Sequence, residues 1–333
     1  MRLIPNKKTF IIAEVAGAYE GSAKKMKKLI DIAYKSGADS IKFQIFKTDN
    51  LVVCNHPKYH NFKNRELKEA EWSSLVTYAK SKNLFVGADV FDIKSVKLSE
   101  SVGIDFYKIH STNLSNPFIL SKVAKTNKPI ILGVGGSTLN EIRESIDILK
   151  KYKTKQIILM LGHQNFPTKL EDTNLRRIIT LKNKFPYIVG FADHCKADNK
   201  MSMIIPLLAI AMGAKVIEKH FTINRALKGT DYISSLNPDE LKQLVLDIRN
   251  LEKIFGEGKF MLSDNEKKYR ESMKKFIVAS KDMNINEKIT FDKISFKRTT
   301  KPGILPKDIK KILGKKIKRK IKKDDLITID TVK

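Results

Sequence analysis

Cysteine is nearly absent. The two present, Cys54 and Cys195, stand far apart in a chain of 333 residues. They show neither a disulfide framework nor metal-site spacing, which points to a reducing, cytoplasmic setting. Long apolar runs are also missing. None approaches the roughly 20 residues of a bilayer-spanning helix, and the opening MRLIPNKKTFIIAEVAG lacks a signal peptide's apolar core and cleavage site. A soluble protein with no membrane partner is expected. Acidic residues are scarce against basic ones, 36 Asp+Glu facing 64 Lys+Arg for a formal charge of +28. That balance invites a nucleic-acid partner. Arginine is scarce against lysine, however, and phosphate and base recognition leans on arginine forks. Even the densest basic run, KKILGKKIKRKIKK at 310–323, carries Ile and Leu spaced as core anchors. A solvated basic surface is the better reading.

What is present is regular alternation. Short stretches rich in Ile and Val, apolar on both faces as buried parallel strands are, recur at Phe10–Ala16, Asp39–Phe46, Leu84–Val90, Phe106–Ser111, Pro129–Gly136, Gln156–Leu161, Ile188–His194 and Val216–Phe221. Amphipathic stretches such as Ser22–Ser36 and Thr138–Tyr152 separate them, and Asn237-Pro238-Asp239-Glu240 opens one more helix with capping chemistry. Eight such units predict an α/β fold, a (β/α)8 TIM barrel, with a doubly wound open sheet as the alternative. The barrel is expected over 1–258 and a linker over 259–275. A small β-rich domain follows over 276–333, with a short helix near Lys307–Leu313.

A barrel places its chemistry at the carboxyl ends of its strands, and polar residues gather there. They are Glu14; Lys42 and Gln44; Asp89; Lys108, His110, Ser111 and Thr112; Gly135-Gly136-Ser137; His163-Gln164-Asn165; His194; and Glu218 with His220. Each charged one alone has a plain structural explanation, since inward Lys and Glu pair with one another. A ring of buried charge facing one mouth suggests a highly charged ligand. His194 and His220, on neighbouring strand ends, suit a borderline divalent metal, with Glu218 and Asp231 as carboxylate support. Lys42, Lys108 and the hydroxyls of Ser111, Thr112 and Ser137 suit a phosphate and a carboxylate. Glu14 suits a general acid or base.

The segments IIAEVAG, GADSIKFQIFK, YKIHSTNL, KPIILGVGGSTLNEI, NFPT with LEDTNL, GFADH and GAKVIEKHFTINRALKGTDYISSLNPDE together resemble the sialic acid synthase family. That family condenses phosphoenolpyruvate with an amino-sugar aldehyde to a nonulosonic acid. Phe276–Lys333 resembles its antifreeze-like SAF domain. The resemblance implies a divalent metal, manganese or magnesium, at His194 and His220, with Glu14, Lys42, Glu218 and Asp231 in the reaction. Substrate contacts are implied at Gln44, Lys108, Ser111, Thr112, Ser137, Gln164, Asn165 and Phe166. A domain-swapped homodimer is also implied, whose cap carries Arg298 to the acceptor sugar in the second subunit.

The chain departs from the family at Ala18-Tyr19, His110-Ser111-Thr112, Gly133–Gly136 and Gln164–Pro167, which implies a changed acceptor. The alternatives are another phosphoenolpyruvate-dependent sugar-acid synthase or, from charge alone, a basic nucleic-acid-binding protein.

Overall fold

The computed structural model describes residues 8–163 and 165–333. Eight strands, β1 Phe10–Glu14, β2 Ser40–Ile45, β3 Phe85–Val90, β4 Phe106–Ile109, β5 Ile130–Gly133, β6 Ile157–Leu161, β7 Ile188–Asp193 and β8 Val216–His220, close into a parallel barrel in chain order. Helices follow the strands, so the first part of the chain is a (β/α)8 barrel. Alternation along each strand splits the core in two. Outward residues such as Ile11, Ile41, Val86 and Ile217 join the large cluster shared with the helices. Inward ones, Phe10, Ile12, Phe106, Ile131, Ile158, Met160 and Val216, plug the interior. Gly87 is required by that plug, because a Cβ there would lie 2.2 Å from Cζ of Phe106.

The helices begin where local chemistry says they should. The Ser22 side chain accepts the Lys25 N–H to open Ala23–Ser36, and Gly37 ends it at φ 79°, a conformation natural to glycine. Thr138 and Glu141 form a capping box before Leu139–Lys151, as Asn237 and Glu240 do before Pro238–Phe255. Each such cap contributes about 1 kcal/mol.

Several strands stop earlier than their apolar runs predict, β1, β4 and β5 by the most. After β4 the His110 ring accepts the Thr112 N–H, and Ser111–Asn113 wind into a 3-10 turn. After β5 the chain turns through Gly136 at φ 74°. The connection between β2 and the helix Glu69–Ser81 is long and folds its own short helices, Thr48–Leu51 and Tyr59–Lys63.

The second compact unit spans Glu257–Lys333 and includes a helix at Asp264–Met273, with Ser263 as its cap. Beyond it, β9 (Phe276–Ala279) and β10 (Ile294–Lys297) pair antiparallel. Isolated bridges extend this small β structure at Met283–Ile321, Lys288–Lys316 and Ile317–Val332. The short helix expected near Lys307–Leu313 is a 3-10 turn at Pro306–Lys311. Ile312, Ile317 and Ile321, from the lysine-rich run, are core residues here, so its lysines are the solvated side of a packed segment. No described helix is long and apolar enough to cross a membrane.

Candidate active site

Strand register builds a charged layer above the apolar plug. Glu14 lies opposite Lys42 on one side and His220 on the other. Gln44 lies opposite Asp89, and Asp89 opposite Lys108. The alternation that sends Phe10 and Ile12 inward also sends Glu14 inward, and the same holds for Phe106 and Lys108. These side chains floor a cavity of about 260 Å³ at the carboxyl ends of the strands.

Two ammonium groups are set among three carboxylates. Lys42 is fully buried and pairs with Asp89, with Glu14 Oε2 at 2.6 Å and with Glu218 Oε2 at 3.4 Å. Lys108 lies 2.5 Å from Glu218 Oε1 and 3.9 Å from Asp89 Oδ2. Glu14 Oε1 accepts the Ala16 N–H at 2.8 Å. Its Oε2, although close to Lys42, is off the hydrogen-bonding direction and is charge-paired only. The carboxylates therefore differ in acidity. Burial pushes Glu14 up to about 7, against the pull of Lys42 and with the repulsion of Glu218 and Asp89. Burial acts on Glu218 in the same sense, but Lys108 and Lys42 outweigh it and hold that group below the carboxylate range. Glu14 is thus the carboxyl that can carry a proton near neutrality, and Glu218 stays ionised.

His194 and His220 close one side. Their ring centroids are 5.2 Å apart, and Phe166 packs over both, at 4.3 and 5.3 Å. His194 Nδ1 is 2.6 Å from the His163 carbonyl oxygen, an acceptor that fixes the proton on Nδ1 and leaves Nε2 as a lone pair. Burial pushes the His194 imidazolium down to about 4 and depresses that of His220 strongly. Both rings are neutral, and His220 Nδ1 is buried with no hydrogen-bond partner among the described residues. Two neutral imidazoles, one oriented from behind and one with an orphan nitrogen, fit a divalent ion. Among the described residues no group of three His, Cys, Asp or Glu converges, so water or substrate would fill the remaining positions. The carboxylates expected to assist are engaged elsewhere: Glu218 by the lysines, and Asp231 Oδ2 by the Gly17 N–H at 3.2 Å.

Glu14, Lys42, Gln44, Lys108, Phe166, His194, Glu218, His220 and Asp231 all line the cavity. Ser111 and Thr112 sit in the 3-10 turn beside it, with the Thr112 hydroxyl 3.0 Å from His110 Nδ1. Ser137, in the turn before its helix, and exposed Asn165 are likewise outside the wall. Gln164 lies outside the described residues. Arg298 is in the second unit, exposed beyond the end of β10. The wall also holds residues not anticipated: Lys58, Asn61, Phe62, Arg65 and Thr230. Four of them come from KYHNFKNR, whose mix of basic, amide and aromatic side chains was the available signal.

The NeuB family model matches residues 29–260, and the SAF domain model residues 274–333. The N,N'-diacetyllegionaminic acid synthase of Campylobacter jejuni is 35% identical over 96% of this chain and 99% of its own length. The enzyme of the same name from Legionella pneumophila is 33% identical, over 92% and 90% respectively. Among solved structures, the N-acetylneuraminic acid (sialic acid) synthetase of Leptospira borgpetersenii, in complex with citrate, superposes with a TM-score of 0.74 at 32% identity. That match covers 80% of this chain and 92% of the other.

Proposed function

The chain belongs to the NeuB family and is a carbon–carbon bond-forming transferase of the sialic/nonulosonic acid synthase class, and from that premise we propose that it condenses phosphoenolpyruvate with an amino-sugar aldehyde. The acceptor is an N-acetylmannosamine-like or di-N-acetylated hexose, and the products are a nonulosonic acid and phosphate. The observation that carries this reading is the pairing of Glu14, raised to about 7, with two buried lysines beside two histidines in one cavity.

In the reaction C3 of phosphoenolpyruvate bonds to the aldehyde carbon, water adds to C2, and the tetrahedral product expels phosphate. Lys108, the less buried of the two lysines, faces the cavity and is suited to the acid's carboxylate. Lys42 lies deeper and fixes Glu14 and Asp89 in place. A carboxyl balanced near pH 7 can take a proton from the entering water and return one later, and Glu14 is that group. Phe166 packs against both histidine rings and shields one side of the pair. A divalent ion, manganese or magnesium, held by His194 and His220 would polarise the aldehyde oxygen. The proposal includes a homodimer in which the exposed Arg298 serves the partner's acceptor.

The test is phosphate release from phosphoenolpyruvate against a panel of amino-sugar aldehydes, with metal and with chelator. Release that needs an amino-sugar aldehyde and disappears in chelator and in His194→Ala or His220→Ala supports the proposal. Full activity in metal-free protein removes the metal role, and no release with any acceptor removes the reaction.

A further inference from the structure

The imidazole of His110 lies in the cavity wall and takes no part in the chemistry above. It follows β4 with an extended backbone, at φ −62° and ψ 149°. Strand alternation therefore runs one residue past the strand and turns the ring to the same side as Phe106 and Lys108. Lys108 and His110 stand two residues apart on one face, about 7 Å along the backbone.

The tautomer of His110 follows from its neighbours. Its Nδ1 accepts the Thr112 N–H at 3.3 Å, and the Thr112 hydroxyl is 3.0 Å from the same atom. A backbone N–H can only donate, so Nδ1 carries the lone pair and the proton of the neutral ring is on Nε2. Burial holds the imidazolium below its ordinary value, against the attraction of Asp89, and so keeps the ring neutral. Phe91 packs against the ring, with centroids 5.8 Å apart. The edge left to the cavity bears Nε2–H, and no group among the described residues accepts from it.

Other donors in this sector are spent or absent. Lys42 and Lys108 are taken up by Glu14, Asp89 and Glu218. The turn Gly133-Val134-Gly135-Gly136 after β5 has no side-chain donor, and Ser111, Thr112 and Ser137 lie outside the wall. Among the described residues, His110 is the one uncommitted side-chain donor that β4, β5 and their turns bring to the cavity. The aldehyde is assigned to His194 and His220, at the ends of β7 and β8. In a closed barrel in chain order, β8 stands opposite β4.

We propose that His110 donates its Nε2–H to the phosphoryl group of phosphoenolpyruvate while Lys108 holds that molecule's carboxylate. This rests on the reading of the cavity as a site for phosphoenolpyruvate and an aldehyde. Both anionic groups of that substrate hang from C2, and two donors at alternate positions of one strand end match two groups on one carbon. A hydrogen bond to a phosphoryl oxygen is charge-assisted even when the donor is neutral. The ring therefore adds a strong contact without adding a third cation to the layer of Lys42 and Lys108.

The test separates the phosphoryl group from the rest of the substrate. Pyruvate has the carboxylate but no phosphate, and calorimetry on the full chain with manganese reads the affinity of each acid. His110→Phe keeps a ring against Phe91 and removes the N–H. It should weaken phosphoenolpyruvate about tenfold to a hundredfold and leave pyruvate unchanged. His110→Gln, a neutral donor, should recover part of the loss. Equal binding of phosphoenolpyruvate by wild type and His110→Phe overturns the proposal. So does an equal loss for both acids, which would mean that the ring only supports the wall. Nitrogen NMR on wild type, with histidines labelled, needs no folded Phe variant, because His110→Gln also identifies the signals. It should show the proton on Nε2 and a shift of that nitrogen with phosphoenolpyruvate but not with pyruvate. A proton on Nδ1 in the free protein, or no shift, overturns the proposal. Failure of wild type to bind phosphoenolpyruvate would remove the reaction assigned above together with this contact, whereas binding that ignores His110 removes the contact alone.

Discussion

Lys219 Nζ lies 2.5 Å from Asp193 Oδ2, and both side chains are buried. Asp193 and Lys219 are register partners across β7 and β8, each one residue before a cavity histidine. Strand alternation turns them away from the cavity, so the pair ties the two strand ends together from behind. The other oxygen of Asp193 accepts the Cys195 N–H at 2.9 Å, which brackets His194 on both sides. Lys219→Met leaves a buried carboxylate with no counter-charge and should cost about 3–5 kcal/mol of stability. Adding Asp193→Asn removes that charge and keeps an acceptor for Cys195, so the double variant should regain much of the loss. Urea unfolding of the three proteins measures this, and a single variant as stable as wild type would show that the pair contributes nothing.

The floor of the site was legible because a barrel converts a one-dimensional pattern into a place. An apolar strand followed by Glu14, Lys108 or His220 has to deliver that residue to one rim. Strand alternation turns Lys219 away from the histidines, and spacing alone assigned it no partner, whereas the structure buries it against Asp193. Loop geometry left no comparable trace. Ser111 and Thr112 were expected as anion donors, and a local hydrogen bond to His110 sets them in a turn beside the cavity that no spacing announced. Arg65 reaches the cavity only because the long connection after β2 folds back over Gly17, an approach that depends on shape rather than spacing.

Glu14 separates function from stability. It is buried and raised to about 7, so its ionised form is costly where it sits. Glu14→Gln keeps the shape and removes that cost, while Lys42 retains Asp89 and Glu218. Turnover should fall by about 10²–10⁴-fold, with a melting temperature equal to or above that of wild type. Full activity in this variant would end the proton-transfer role.

Acid should weaken the metal-free protein through His194. Its imidazolium is lowered from 6.5 to about 4, so between those values the unfolded chain takes up a proton that the folded one refuses. Stability is then present above the ordinary histidine value and lost as pH falls. Glu14, raised, works in the opposite sense, so the comparison is with His194→Gln in chelator. Between pH 7 and 5 wild type should lose about 2 kcal/mol more than the variant. Parallel pH profiles of the two proteins would contradict a buried, neutral His194.

Arg298 follows β10, is exposed, and has no ion-pair partner among the described residues. Its neighbour Lys297 lies 2.5 Å from Asp324, so the two adjacent cations are not equivalent and only the fork is free to read a ligand. If the small domain of one subunit serves the barrel of another, His220→Ala and Arg298→Ala damage different halves of a composite site. Each variant alone should be inactive or nearly so. Mixed and allowed to exchange subunits, they form dimers with one barrel and one Arg298 both intact. Random exchange at equal amounts makes about half of the dimers mixed, each with one complete site, so about a quarter of wild-type activity should return. Phosphate release before and after exchange, with exchange itself followed by two fluorescent labels, measures it. No recovery despite full exchange and two inactive parents would mean that Arg298 serves its own barrel or none.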